Sequence, residues 1–279
     1  MSESHLKLAQ QIAAEFSHLP GVVAIALGGS STSQNSDISS DIDLYVYTQQ
    51  KIPLSSRRKI MEKTGGASIA NIGLNYWGPG DEWIHLPTGI EVDMVYFSAA
   101  WMVEQIDQVL VQHRASMGYS TCFWYTLMNS IILFDPQGWF ARLQGRGAIA
   151  YPEELRSAIV ELNHPVLRQI IPAYANQIKK AVHRSDLVSV NHRLAALLAS
   201  YFDILFAVNR QLHPGEKRLV QKALQNCVSL PDQFEADMAA IFEISSANLE
   251  ELPPRLDQLL DHMDTWLEVQ GFPILPSSD

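Results

Sequence analysis

Hydrophobic and polar positions follow two regimes along this chain. Up to about residue 150, short apolar runs alternate with segments whose apolar residues recur every three or four positions. Beyond that point only the helical period persists. Leu8, Ile12 and Phe16 place an amphipathic helix over 4–19. The apolar run 22–27 reads as a strand and ends in Gly28, Gly29 and Ser30. A polar loop leads to a second strand, 41–47, in which Asp41 and Asp43 alternate with Ile42, Leu44 and Val46. A basic helix is expected over 54–64, and its Arg57, Arg58, Lys59 and Lys63 suit either phosphates or a solvated face. A glycine-rich stretch with Asn71, Asn75 and Trp77 precedes a hairpin of 83–86 and 90–97, turned by Pro87-Thr88-Gly89. Ser98 is the N-cap of a helix running to 111, and another helix covers 120–130. Residues 131–138 give a short strand and an Asp-Pro-x-Gly turn, in which Asp135 is a turn former.

From Pro152 onward the pattern predicts helices over 152–162, 165–183, 187–209, 215–227, 232–246 and 253–269. Turns at Asn163-His164-Pro165, His213-Pro214-Gly215, Leu230-Pro231 and Pro253-Pro254 separate them. The expected fold is an α/β (α+β) domain with a mixed sheet over 1–150, followed by an all-α helical bundle over 151–279.

The candidate chemistry lies where the first two strands meet. Residues i and i+2 of a strand share a face at roughly 6.5–7 Å, so Asp41 and Asp43 project together. Two carboxylates with oxygens ~4 Å apart repel by about 4 kcal/mol at an effective dielectric near 20. A cation relieves this, and Mg²⁺ favours one or two carboxylates completed by phosphates and water. A solvated edge strand with two surface acids fits the alternation equally well. The Gly28-Gly29-Ser30 turn shifts the balance, because glycines expose backbone N–H groups to a phosphate and a surface strand has no need of them. The turn is neither a P-loop nor a G-x-G-x-x-G fingerprint. On the later strand Glu91 and Asp93 share a face, and if it neighbours the first pair three carboxylates converge.

These residues resemble the nucleotidyltransferase superfamily of the DNA polymerase β type. Its pattern is Gly-Gly or Gly-Ser, a polar loop, Asp-x-Asp on the next strand and a third acid on a later one. The resemblance implies Asp41, Asp43 and Asp93 as metal ligands for two Mg²⁺ ions, with Glu91 sharing the face of the third acid. It makes Gly28, Gly29, Ser30 and Ser40 candidate nucleotide-binding residues. The segment IILFDPQG is similar to the one that closes the catalytic domain of small antibiotic-type nucleotidyltransferases. The turn NRQLHPGEK, with Arg210, His213, Lys217 and Arg218, resembles that of bacterial nucleotidyltransferase-like proteins of the DUF4037 type. Lys217 is there a candidate phosphate ligand or an exposed lysine at a helix start. Asp203 either faces a cleft or pairs inside the bundle, for instance with Arg193. Tyr45, Tyr47, Trp77, Trp83 and Tyr96 suit stacking on a base or core packing, with packing the better expectation.

The net charge of −10 disfavours a nucleic-acid substrate. No apolar run reaches membrane-spanning length and no signal peptide is evident, so a cytoplasmic protein is expected. Cys122 and Cys227 form no C-x-x-C and read as thiols. The expected function is metal-dependent transfer of a nucleoside monophosphate, AMP from ATP, to a hydroxyl of a small-molecule acceptor or of a protein. A nucleotide-binding or regulatory module without chemistry is the other class, although it has no reason to keep two repelling aspartates beside the loop.

Overall fold

The computed structural model describes residues 2–28, 41–76 and 78–273; Gly29, Ser30, Ser40 and Trp77 lie outside the described residues. The chain forms two compact units, one of residues 1–107 and 123–149, the other of 108–122 and 150–279.

The first unit is built on a six-stranded mixed sheet. Its strands are β1 (Val22–Gly28), β2 (Ile42–Thr48), β3 (Ala67–Leu74), β4 (Gly80–His85), β5 (Glu91–Ser98) and β6 (Ile131–Phe134), in the order β3-β4-β5-β2-β1-β6. β2 and β5 run parallel, and every other neighbouring pair is antiparallel. Alternation sorts the side chains. Ile25, Leu27, Ile42, Leu44, Val46, Val92 and Met94 are fully buried and form one core with Leu8, Ile12 and Phe16 of α1 (Glu3–Phe16). The opposite face is aromatic. Tyr47 packs on Phe97 and on Trp139 and Phe140 of α5 (Trp139–Gly147). Phe97 stacks on Trp101 of α3 (Ala99–Leu110) and meets Phe123 of α4 (Cys122–Asn129) edge-on.

Two of these elements escape the hydrophobic pattern. β3 occupies the stretch expected to be irregular. As an edge strand mostly exposed on both faces, it shows no alternation of apolar and polar residues. α5 follows the expected Asp-Pro-Gln-Gly turn, and Asp135 both closes that turn and accepts from the Ala141 N–H. The basic helix is α2 (Leu54–Lys63), but its first arginine is structural. Arg57 is buried, contacts Asp81 at 3.3 Å and lies 3.9 Å from the Tyr96 ring centroid. Asp81 also accepts from the Tyr96 hydroxyl (2.5 Å) and the Gly73 N–H (2.7 Å), which pins α2 to the β3–β4 edge. Burial, then the Asp81 charge, pushes the Tyr96 phenol well above its usual range. Lys63 pairs with Glu15 of α1.

The second unit is helical: α6 (Glu153–Arg168), α7 (Tyr174–His183), α8 (Leu187–Val208), α9 (Leu219–Asn226), α10 (Phe234–Phe242) and α11 (Leu252–Val269). Around α8 packs a continuous apolar core that includes Leu197, Ile204, Leu205, Leu259, Met263 and Leu267. The turn expected at Asn163-His164-Pro165 is instead inside α6. Proline in a helix interior costs about 3 kcal/mol, and here tertiary bonds hold the helix through it. His164 pairs with Asp264 at 2.6 Å, and fully buried Asn163 bonds the Gly118 N–H and the Ser116 carbonyl, each at 2.9 Å. Pro253 and Pro254 likewise stand in the first turn of α11, where proline is tolerated. Among the described residues no helix is long and apolar enough to cross a membrane.

Asp203 of α8 is internal, and its partners are not basic. It accepts from the Ser120 N–H (3.0 Å), the Ser120 hydroxyl (2.6 Å) and Asn163 Nδ2 (3.4 Å). Burial raises its carboxyl to about 7, against the lowering effect of the two Ser120 bonds. Between the ordinary carboxyl range and about 7 the folded chain therefore holds a proton that the unfolded chain has lost. This residue's contribution to stability is greatest at low pH, falls as pH rises through that window and levels off above it. Urea unfolding from pH 4 to 8 should show Asp203→Asn gaining on wild type across that interval, by roughly 4 kcal/mol at most. A difference independent of pH would contradict the raised carboxyl.

Candidate active site

The sheet register assembles one row of polar positions on its aromatic-side face. Gly28 of β1 lies opposite Asp43 of β2, Asp43 opposite Asp93 of β5, and Asp93 opposite Glu82 of β4. Glu82 in turn faces Asn71 of β3. Neighbouring strands are about 4.8 Å apart, so Asp43 and Asp93 project side by side. At ~5 Å and an effective dielectric near 20 they repel by roughly 3 kcal/mol. Both are partly buried. Asp41 immediately precedes the first paired residue of β2. Glu91, two residues before Asp93 at the start of β5, is exposed and lies opposite Ile84. The register thus sets Asp93 directly beside Asp43, and the same offset brings Glu91 level with Asp41.

Tyr45 reports the field of this row. Burial is the first cause of its strongly raised phenol, followed by the charges of Asp43, Asp93 and Asp41. Its ring also explains Gly28. A Cβ at position 28 would stand 2.1 Å from Tyr45 Cε2 and 2.9 Å from Cζ. Gly28 therefore makes room for an aromatic ring beside the acids, and its φ is not in the left-handed region. Ala24 and Ala26 of β1, opposite Tyr47 and Tyr45, extend the same small-residue lane. Of the other aromatics considered for stacking, Tyr47, Trp83 and Tyr96 are buried packing residues.

Among the described residues no group of three His, Cys, Asp or Glu side chains is disposed to hold a metal ion by itself. Asp43 and Asp93 nevertheless fit the needs of Mg²⁺, a hard cation that draws most of its ligands from water and phosphate oxygens.

Lys217 belongs to the helical unit and is exposed. The basic turn around it is less cationic than its sequence implies. Arg210 pairs with Glu153 at 2.6 Å. His213 is fully buried, its Nδ1 accepts from the Gly215 N–H, and burial followed by the Lys222 charge lowers it to about 4. It is neutral at pH 7. Its Nε2 has no hydrogen-bond partner among the described residues, and the imidazole meets the rings of Tyr119 and Phe206 edge-on.

Sequence reading did not place Glu82 in this row, and it named Asn71 only as part of the glycine-rich stretch. The hairpin turn at 87–89 carried the signal, because its register places residue 82 opposite 93.

No family model matches this chain, so the resemblance of its 209–217 turn to DUF4037-type proteins stands on that segment alone. No curated protein matches it either. Solved structures do. A nucleotidyltransferase-like protein from Exiguobacterium sibiricum aligns with 95% of this chain and 76% of its own at 11% identity and a TM-score of 0.44. A spectinomycin adenyltransferase from Enterococcus, crystallised with ATP and spectinomycin, aligns with 94% of this chain and 99% of its own at 10% identity and a TM-score of 0.33.

Replacing Gly28 by Ala should destabilise the protein by about 1–3 kcal/mol, the usual range for overpacking. Combining it with Tyr45→Ala should recover part of that loss. A double-mutant cycle on thermal unfolding that gave simple additivity would contradict the contact.

Proposed function

We propose that the protein is a metal-dependent nucleotidyltransferase that moves AMP from ATP to a hydroxyl of a small-molecule acceptor. The observation that carries this reading is the in-register alignment of Asp43 with Asp93 on adjacent parallel strands, with Gly28 beside them. Asp41, Asp43 and Asp93 would hold Mg²⁺, which supplies charge neutralisation for the triphosphate and the leaving group. Gly29, Ser30 and Ser40, in the segment joining β1 to β2, would donate to phosphate oxygens. ATP as the donor rests on the likeness of the Gly-Ser and Asp-x-Asp pattern to antibiotic-type adenylyltransferases.

The acceptor oxygen attacks the α-phosphorus in line. The new oxygen–phosphorus bond forms as the bond from the α-phosphorus to the bridging oxygen breaks, and pyrophosphate leaves. The hydroxyl proton would pass to whichever of Asp93 and Glu91 does not ligate the second metal. The repulsion stored between Asp43 and Asp93 makes this face electrostatically prepared for cationic charge, so most of the rate enhancement comes from positioning and charge stabilisation.

Asp43→Asn should lower pyrophosphate release from ATP by at least about 10²-fold. It should leave the melting temperature unchanged or slightly higher, since one of two repelling charges is gone. Calorimetry with ATP and Mg²⁺ should show binding by wild type that the Asp41→Asn/Asp43→Asn variant lacks. Undiminished turnover by Asp43→Asn overturns the assignment, and failure of the folded wild type to bind any nucleoside triphosphate overturns the function.

A further inference from the structure

Tyr45 follows Asp43 by two residues on β2, so the two side chains share a face of the sheet. Its partner across the ladder is Ala26, yet its ring lies over Gly28, two residues further along β1 and level with Asp43. The ring atoms nearest to where a Gly28 Cβ would stand include Cε2, at 2.1 Å, and Cζ, at 2.9 Å. Cζ carries the hydroxyl. The side chain therefore leans diagonally out of its own row and brings its hydroxyl end to the row of Gly28, Asp43 and Asp93. The ring itself is engaged, by the Gly28 backbone and by Phe97 at 5.9 Å between centroids. The hydroxyl is not. Tyr45 is half-buried, and its oxygen has no hydrogen-bond partner among the described residues. Tyr47, next on the same face, is by contrast fully buried among Phe97, Trp139 and Phe140.

We infer that the Tyr45 hydroxyl donates a hydrogen bond to the polyphosphate of the bound nucleotide. This rests on the proposed function, in which Mg²⁺ on Asp43 and the turn that follows Gly28 hold the triphosphate between them. The hydroxyl end of Tyr45 lies where those two holders meet, over Gly28 and level with Asp43. A phenol is neutral at physiological pH and is both donor and acceptor. It can donate to a phosphate oxygen without adding charge, whereas a lysine in its place would pair with Asp43 and compete with the metal. Stacking on a nucleobase needs an open ring face, and Gly28 and Phe97 occupy this ring. Gly28 then has a second consequence: the missing side chain lets the phenol reach the acid row at all.

The test is calorimetric titration of the full chain, wild type and Tyr45→Phe, with ATP and with inorganic tripolyphosphate, each in the presence of Mg²⁺. Phenylalanine keeps the ring over Gly28 and removes only the hydroxyl, so the melting temperature should not change. Both ligands should bind Tyr45→Phe about tenfold more weakly, the scale of one hydrogen bond to a charged group. Equal affinity of the two proteins for both ligands overturns the inference and leaves the proposed function standing. Weaker binding of ATP with tripolyphosphate binding intact also overturns it, because the hydroxyl would then contact the nucleoside. A folded wild type that binds neither ligand overturns the proposed function, and the inference with it.

Discussion

The parallel pairing of β2 with β5 is the constraint on which the first unit depends. One register satisfies both faces of the sheet at once. It sets Ile42, Leu44 and Val46 beside Val92, Met94 and Tyr96, and in the same step sets Asp43 beside Asp93. A slip of one residue would expose the apolar set and bury the acids, because strand side chains alternate strictly. Packing of the α1 core therefore holds two like charges together against their repulsion. The electrostatic cost of the row is met by hydrophobic burial on the far side of the same strands.

The helical unit uses polar groups differently. Asn163, Asp203 and the Thr121 hydroxyl receive the segment 116–121 and the turn at His213 through directed bonds. A low-dielectric site strengthens such bonds and penalises any that is missing, so the network fixes the path of an irregular segment where apolar contacts alone would not. The neutral imidazole of His213 and the raised carboxyl of Asp203 share one first cause, burial, which the Lys222 charge reinforces at His213 and the Ser120 bonds oppose at Asp203.

Strong periodicity made much of this legible. β1, β2, β5 and the long helices announce themselves because each buries a face. The hairpin is written in Pro87-Thr88-Gly89, and the pairing of its strands follows from that turn. β3 was hidden because it is exposed, and α6 runs through Pro165 because Asn163 and His164 find distant partners that local propensity does not contain. At the candidate site, residue types and spacing pointed to Asp43 and Asp93, but only the parallel pairing of β2 with β5 shows that the two lie side by side. The reason for Gly28 was not readable at all, since it lies in the ring of Tyr45 across the sheet.

The chain passes between its units three times, near residues 107, 122 and 149. This matters during synthesis. When the segment 108–122 leaves the ribosome, the helices that hold it have not been made: Asn163 and Asp203 follow some 40 and 80 residues later. Its Gly118 and Ser120 amides must wait in water while α4 and α5 are completed behind it. Folding of this protein is therefore not a simple procession of domains from the N-terminus. A part of the second unit is translated inside the first and is claimed only when α6 and α8 arrive.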